Sequence, residues 1–371
     1  MSAEEPSELQ GQSGTGDSPD VFALTADLVD FASESFEEQA LVDWLERELA
    51  LCPHLDVIRI GDNLIARTTG SASSRVILAG HTDTVAANEN FPGRIEGDVL
   101  FGVGSADMKG GLAIMLAAAR HFTNPMLEVT YVFYAREEVA SVHNGLEEVL
   151  QKRPDLLVGD LALLGEPTDA AIEAGCQGSI RAAVTLLGAR AHTARAWMGR
   201  NAIHRAGPLL NALAGAEIRQ PEIEGCTFHE AIQVVDIVGG VSGNVVPDRC
   251  TVTVAYRFAP DRSLDEAEQH LRELCEPYLE AGDQIDIVDR ANAALPAVTH
   301  PILQSLVARH GLEVRSKLGW TDVARFAAIG VPAANFGPGD PTVAHTAGEF
   351  VTRDSVERAW KCIEDLLTAG I

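Results

Sequence analysis

Five residues with metal-ligand side chains recur along this chain, and four of the five follow apolar segments. Zinc is bound in proteins by His nitrogen and by carboxylate oxygen. A buried strand that ends in such a residue is where open α/β sheets build their sites. The five residues are His81, Asp107, Glu138, Glu166 and His345. Their recurrence predicts a metalloenzyme.

The number of ligands predicts two metal ions rather than one. Two His and three carboxylates give each ion two terminal ligands and leave one carboxylate to be shared, which suits a metal pair about 3.5 to 4 Å apart. Asp107 is the expected bridge, because glycines flank its turn and let the backbone approach closely. Glu137 is the expected general base, and Asp83 is the carboxylate expected to orient His81 through its other ring nitrogen.

Each of these residues also has an ordinary structural interpretation. A single His such as His345 is usually a surface residue or a hydrogen-bonded core residue, a Glu-Glu pair often ends a solvated helix, and Gly-Glu-Pro can be only a turn. Their co-occurrence after successive apolar segments favours a functional site, because titratable residues in unusual environments cluster at such sites.

The order and spacing of these motifs resemble the co-catalytic zinc aminoacylase and carboxypeptidase family, and within it the succinyl-diaminopimelate desuccinylases of the actinobacterial type. The resemblance extends over residues 20 to 368, and it implies a cis peptide at Asp107-Met108. The segments that carry it are His81-Thr-Asp83, Ser105-Ala-Asp-Met-Lys-Gly-Gly111, Glu137-Glu138, Gly165-Glu-Pro-Thr168, Glu173-Ala-Gly-Cys-Gln-Gly178, Arg190-Ala-His-Thr-Ala-Arg-Ala-Trp197, Gly319-Trp-Thr-Asp-Val-Ala-Arg-Phe326, Asn335-Phe-Gly-Pro-Gly-Asp340 and His345.

The resemblance also implies residues that bind the substrate. His192 matches a His that reaches the active site of the other subunit and stabilises the oxyanion. Asn244 and Arg257 match positions that hold carboxylates of the substrate, while Thr321 and the backbone of Gly319 match a further substrate-binding turn. A planar guanidinium suits a carboxylate, which gives Arg257 a physical reason beyond the resemblance.

The chain departs from the proteobacterial desuccinylases at one place. Where they carry a basic pair, this chain has Cys176-Gln177. Recognition of the substrate's carboxylates must therefore differ, or shift to Arg195 or Arg181. The exact substrate stays open on this evidence.

The activity that the resemblance implies is hydrolysis of N-succinyl-LL-2,6-diaminopimelate. A water held between two zinc ions would give its proton to Glu137 and attack the acyl carbonyl, and Glu137 would return the proton to the leaving amine. Acetylornithine deacetylase, another N-acyl-amino-acid hydrolase and a dipeptidase share the ligands and are alternatives, as is a non-catalytic binding protein. We expect two divalent ions, zinc or alternatively cobalt, a small anionic substrate and a homodimer.

Composition predicts a cytoplasmic protein that binds neither membranes nor nucleic acid. No apolar run reaches the roughly 18 residues that span a bilayer, and the N-terminus lacks a basic region followed by an apolar one. The six cysteines are scattered without Cys-x-x-Cys pairs, which predicts reduced core thiols. A net charge of −26 excludes a general nucleic-acid binder, since phosphate binding requires a basic face.

The alternation of strand-like and helical segments predicts an α/β fold, with a mixed, mostly parallel sheet covered by helices on both faces. Strands are expected at residues 55–67, 75–80 and 127–135, with a helix from Leu112 between the last two. Residues 19–178 and 291–371 would form this catalytic metal-binding domain.

A second unit is predicted as an insertion. Residues 179–290 contain patterns for four strands and two helices, enough for an independent two-layer α/β sandwich. The resemblance implies that this sandwich is a lid and a dimerisation domain. The acidic N-terminal residues 1–18 are Gly- and Ser-rich without Lys or Arg, and they are predicted to be disordered.

Overall fold

The computed structural model describes residues 18–371, so the predicted disordered tail lies outside the described residues except for Ser18. The α-helices are α1 Val21–Val29, α2 Gln39–Ala50, α3 Gly110–His121, α4 Gly145–Lys152, α5 Ala202–Ala214, α6 Leu264–Cys275, α7 Pro301–His310, α8 Val323–Ala328 and α9 Arg353–Ala369. The strands are β1 Leu55–Ile60, β2 Asn63–Thr68, β3 Arg75–His81, β4 Arg94–Glu96, β5 Val99–Phe101, β6 Glu128–Tyr134, β7 Leu161–Leu164, β8 Ile172–Ala174, β9 Gly178–Leu187, β10 Glu222–Ile223, β11 Cys226–Thr227, β12 Ala231–Gly239, β13 Arg249–Phe258, β14 Gln284–Ala291, β15 Val314–Ser316, β16 Ala333–Asn335 and β17 Phe350–Thr352.

The central sheet has eight strands in the order β1-β2-β6-β3-β7-β16-β8-β15. Its middle strands β6, β3, β7 and β16 are parallel neighbours, whereas the β1–β2, β2–β6 and β16–β8 pairs are antiparallel. The predicted fold class, a mixed and mostly parallel α/β sheet, is therefore confirmed.

Both faces of this sheet are covered by helices. Along β3, Val76 and Leu78 pack with α1, α2, α3 and α9, while the alternate residues Ile77 and Ala79 pack with α4 and α8. A parallel strand that is buried on both faces reads as a continuous apolar run. This is why the segment before His81 was recognisable in the sequence.

The second sheet has four antiparallel strands in the order β12-β13-β9-β14. Alternate side chains of β9 and β13 pack against α5 and α6 in a separate hydrophobic cluster. The strands and helices predicted within residues 179–290 are present here. The assignment of this unit as a lid and dimerisation domain stays a prediction.

Two features of the fold differ from the sequence prediction. The expected strand at residues 55–67 is a hairpin of β1 and β2, turned at Gly61 with a φ of 62°. A three-stranded sheet of β17, β5 and β4 was not predicted. Its strands have three residues each, which is too short to show alternation.

The described residues bear on two further predictions. Between residues 18 and 371, none of the helices combines the length and apolar character needed to cross a bilayer. All six cysteines are buried and free, as predicted for core thiols.

Candidate metal centre

Three neighbouring strands deliver metal-ligand side chains to one edge of the central sheet. β3 ends at His81, and β7 is followed by Gly165 and then Glu166. β6 is followed by a turn at Arg136, whose φ is 62°, and then by Glu137 and Glu138. Because β6, β3 and β7 are parallel neighbours, these side chains converge at their common carboxyl end.

Asp107 reaches the same edge from the irregular turn Ser105–Lys109, which precedes α3. The peptide between Asp107 and Met108 is cis, as the resemblance implied. A Glu349 carboxylate oxygen accepts hydrogen bonds from the amides of Ala106 and Asp107, both at 3.0 Å. Burial raises the pKa of Glu349 to about 7 although these amide contacts oppose it. Glu349 lies in no motif recognised in the sequence, so its contact with Asp107 was not predicted.

The two oxygens of Asp107 lie beside different His residues. Its Oδ1 is 3.0 Å from Nε2 of His81, and its Oδ2 is 3.3 Å from Nε2 of His345. The same His345 nitrogen lies 2.8 Å from Oε1 of Glu138. A carboxylate with one oxygen toward each His has the arrangement expected of a bridging ligand.

The ligand atoms fall into overlapping groups within 4.8 Å of one another. One group is His81, Asp107 and Glu166, and another is Asp107, Glu138 and His345. Glu166 is buried, and its Oε1 has no hydrogen-bond partner, although buried polar atoms normally have one. His nitrogen and carboxylate oxygen are suitable donors for zinc. These residues therefore fit two divalent cations that share Asp107.

The pKa shifts at this edge reflect its concentration of negative charge. Burial, with the nearby charge of Asp107, raises the pKa of Glu166 to about 7. Hydrogen bonds to Asp107 and Glu138 raise the pKa of His345 to about 10. Burial opposes ionisation of Asp107, but its contacts with His345 and His81 outweigh burial and hold its pKa well below the usual range. A positive charge, on a protonated His or on a bound metal ion, is therefore strongly favoured among these carboxylates.

Asp83 fixes the backbone next to the ligands. Its carboxylate accepts hydrogen bonds from the amides of Glu137 at 2.9 Å and Glu138 at 3.1 Å, and from the Ser35 hydroxyl at 2.7 Å. Burial alone would raise its pKa, but contacts with His81, Ser35 and the Glu137 amide lower it to about 2. Nδ1 of His81 is 2.9 Å from the Asp83 carbonyl oxygen and 3.6 Å from its carboxylate. The carbonyl is therefore the closer partner of the ring, where the sequence analysis expected the carboxylate.

Glu137 has the environment of a proton acceptor. Its side chain is only partly buried. Burial raises its pKa well above the usual value; His81 opposes the shift, and Glu166 and Asp322 add to it. His81, Glu137 and Glu138 also form a third group of potential ligands. The geometry therefore allows Glu137 to be either a base or a ligand, and a measurement must separate the two roles.

The structure does not bring the predicted substrate residues of the four-stranded unit to the metal centre. His192 forms a β-bridge with Val245, and the amide of Thr193 donates to the Asn244 carbonyl at 3.0 Å. His192, Asn244 and Arg257 are exposed. Among the described hydrogen bonds and ion pairs, none connects these three side chains to a ligand residue. The first two lie together in the loops of the four-stranded unit.

The predicted turn at Gly319 and Thr321 lies closer to the centre. Thr321 is buried, and its hydroxyl has no hydrogen-bond partner among the described residues. The following Asp322 is fully buried and accepts hydrogen bonds from Asn144 at 2.9 Å and Arg325 at 2.6 Å. Asn144 caps α4, which follows the Glu137-Glu138 turn. The sequence analysis gave Asp322 no role, although it lies within a quoted motif.

The sequence has close relatives among named desuccinylases. Residues 77–369 match the profile of the peptidase family M20/M25/M40. A protein of Mycobacterium tuberculosis, provisionally named a succinyl-diaminopimelate desuccinylase, is 46% identical over 341 residues, which cover 92% of this chain and 96% of the relative. The succinyl-diaminopimelate desuccinylase of Corynebacterium glutamicum is 42% identical over 337 residues, or 89% of this chain and 91% of the relative.

Solved structures of similar fold include peptidases of low sequence identity. A tripeptidase from Staphylococcus aureus has a TM-score of 0.79 at 19% identity, with 95% of this chain and 98% of that chain covered. A dinuclear metal-binding peptidase from Bacillus subtilis has a TM-score of 0.68 at 15% identity, with 94% and 96% covered. These likenesses concern the fold, whereas the profile and the identities concern the sequence. The chain therefore belongs to the peptidase family M20/M25/M40, as its metal-ligand motifs predicted.

Proposed function

We propose that this metal-dependent hydrolase cleaves N-succinyl-LL-2,6-diaminopimelate into succinate and LL-2,6-diaminopimelate. The names and identities of the mycobacterial and corynebacterial relatives support this substrate. The observation that carries the chemistry is Asp107, whose two oxygens face His81 and His345 separately, with Glu137 beside the same ligands.

His81, Asp107 and Glu166 would hold one ion, and Asp107, Glu138 and His345 the other. Zinc is the expected metal and cobalt the alternative, since both suit His and carboxylate donors. Such a pair, when bound, supplies Lewis acidity that activates water at neutral pH and polarises a carbonyl.

Glu137 would move the proton in this reaction. Its raised pKa allows it to take a proton from the attacking water and to return it to the leaving amine. Asp83 supports this role, because it holds the Glu137 amide at 2.9 Å and so fixes the backbone that carries the base.

The remaining residue roles are part of the same proposal. His192, supplied by the partner subunit of a homodimer, would donate a hydrogen bond to the oxyanion. Asn244, Arg257, Thr321 and the Gly319 backbone would bind the substrate. His192 is exposed, and no described hydrogen bond or ion pair joins it to a candidate ligand of its own chain; both observations support a role across an interface.

Domain roles and location follow from this assignment. We propose residues 19–178 and 291–371 as the catalytic domain and residues 179–290 as the lid and dimerisation domain. A biosynthetic hydrolase of the lysine and peptidoglycan precursor route would act in the cytoplasm on a small anionic metabolite.

A substrate panel tests the proposal. Amine release is measured from N-succinyl-LL-2,6-diaminopimelate, N-acetylornithine and a simple dipeptide, with zinc-loaded and cobalt-loaded protein. We expect the highest kcat/KM for the succinylated substrate. Faster turnover of N-acetylornithine would assign a deacetylase instead, and faster turnover of the dipeptide would assign a peptidase.

A further inference from the structure

The four-stranded unit has one face covered by helices and one open face. Ile180 and Tyr256 pack in the cluster beneath α5 and α6. Side chains alternate along a strand, so Arg181 and Arg257 project from the opposite face, and both are exposed. In the β9–β13 pairing, Arg257 lies opposite Ser179, while Arg181 lies opposite Ala255. The two arginines are therefore diagonal neighbours, about 7–8 Å apart at the backbone and within reach of one another's long side chains.

Among the described residues, neither arginine of this pair forms an ion pair. Most other arginines of the chain do, such as Arg205, which lies 2.6 Å from Asp283. Neither Arg181 nor Arg257 lies within 4.0 Å of a carboxylate oxygen among residues 18–371. Burial and the charge of Arg181 lower the pKa of Arg257 below its usual value, although the charge of Asp289 opposes the shift. Asp289 lies opposite Arg181 in the β14–β9 pairing. A single nearby carboxylate cannot neutralise two adjacent guanidinium groups, so their arrangement favours the binding of a further anion.

The pair lies where the chain enters the four-stranded unit. β9 begins at Gly178, and a Cβ atom there would lie 2.0 Å from the ring of Phe258, the residue after Arg257. Two residues earlier, the Cys176 sulfur is 3.8 Å from the Thr321 carbonyl oxygen. The Thr321 turn continues into Asp322, which is tied to the Glu137 side of the metal centre through Asn144. The open face is therefore adjacent to the substrate-binding turn.

The residues at the expected basic pair cannot supply this charge. Cys176 is fully buried, and burial raises the pKa of its thiol to about 11, so it stays neutral. Gln177 is buried as well, and its amide nitrogen donates to the His229 carbonyl at 2.7 Å. Neither side chain is free to bind a carboxylate of the substrate.

We propose that Arg181 and Arg257 together bind a substrate carboxylate remote from the scissile amide, and that Arg181 is a specificity residue of this chain. The inference rests on the proposed function. Two guanidinium forks can surround one carboxylate with four charge-assisted hydrogen bonds. The carboxylate comes either from the acyl group or from the far end of the diamino acid, and substrates that lack one or the other distinguish the two sources.

The test combines variants of this face with matched substrates. Arg181→Gln removes the charge, and Arg249→Gln is the control. Arg249 is exposed and unpaired on the same face of β13, but eight residues, or about 27 Å, from Arg257. The substrates are N-succinyl-diaminopimelate, N-butyryl-diaminopimelate, which lacks the acyl carboxylate, and Nα-succinyl-lysine, which lacks the far carboxylate.

We expect Arg181→Gln to lower kcat/KM for N-succinyl-diaminopimelate about 10- to 100-fold. The loss should be at least tenfold smaller for the substrate that lacks the carboxylate bound by the pair. Arg249→Gln should lower kcat/KM less than about twofold for all three substrates. Arg181→Lys, which keeps the charge without the fork, should lie between wild type and Arg181→Gln. An equal loss on all three substrates, or no greater loss than in Arg249→Gln, would overturn the proposal.

Product binding separates this inference from the proposed function. If the wild type fails to release amine from N-succinyl-diaminopimelate but hydrolyses another acyl amino acid, the proposed function has failed. Calorimetric titration of succinate and LL-diaminopimelate into the metal-loaded wild type, Arg181→Gln and Arg249→Gln then decides the inference. Weaker binding of either product by Arg181→Gln alone supports the pair, and unchanged binding of both refutes it.

Discussion

Replacing Glu137 with Gln should remove the proposed base while leaving the fold and the bound metals intact. The Glu137 side chain makes no hydrogen bond to any residue between 18 and 371, and it lies among carboxylates that raise its pKa. The amide has nearly the same shape, so we expect the free energy of unfolding to change by no more than about 0.5 kcal/mol. The rate should fall on the order of 10² to 10⁴, which is about 2.7 to 5.4 kcal/mol of activation free energy.

The neighbouring variant Glu138→Gln is the control. Glu138 lies 2.8 Å from His345 and belongs to a ligand group with Asp107, so its loss should reduce the bound metal. Elemental analysis, thermal unfolding and amine release are measured on both proteins after identical loading with zinc. If Glu137→Gln loses metal while Glu138→Gln keeps two ions per chain, then Glu137 is a ligand and the assigned roles are reversed.

Three further changes test other parts of the structure. Asp107→Ala should bind neither ion tightly, because both ligand groups share it, and elemental analysis that finds two ions per chain would exclude a bridging role. Mixing inactive His192→Ala with inactive Glu137→Gln should restore part of the amine release if His192 acts across a dimer, and no recovery in verified mixed dimers would contradict this. Asp283→Asn should lower the free energy of unfolding at pH 7 by about 3 kcal/mol, since Asp283 is buried 2.6 Å from Arg205. Burial raises the pKa of Asp283, but its contacts with Arg205 and with the amides of Leu187 and Glu280 together lower it below the ordinary value of 3.8. The wild type should therefore lose this advantage as the pH falls below 3.8, and a deficit independent of pH would refute the pairing.

The parts of the fold that the sequence predicted well are those with strong local patterns. β6 is buried along its whole length and β3 from Val76 onward, and a buried parallel strand appears as an uninterrupted apolar run. The four strands and two helices of the insertion alternate clearly enough to be counted. The β1–β2 hairpin was predicted as one strand, because its turn at Gly61 interrupts the apolar pattern by only a few residues.

The candidate metal ligands were recognisable in the sequence for the same local reason. His81 ends β3, and Glu166 comes two residues after β7, so a pattern of a few residues identifies them. Glu349 and Asp322 show no such pattern. Glu349 accepts a hydrogen bond from the Asp107 amide, 242 residues away in the sequence, and Asp322 accepts one from Asn144, 178 residues away. These contacts exist only in the folded chain.

The substrate residues depend on something that no local pattern encodes, the orientation of the four-stranded unit against the central sheet. The chain enters that unit through Cys176 and leaves it through Ala294, and these two residues form a β-bridge. Other contacts also join the two units: Cys226 and Phe228 pack in the core cluster of the central sheet, the Ser316 hydroxyl donates to the Thr227 carbonyl at 2.6 Å, and the Trp320 indole donates to the Asn292 carbonyl at 3.1 Å. Domains of one chain commonly rotate about the segments that join them. In our proposal, lid closure and the partner subunit therefore set the positions of His192, Asn244 and Arg257 relative to the metals. This is why motif spacing could suggest these residues but could not place them.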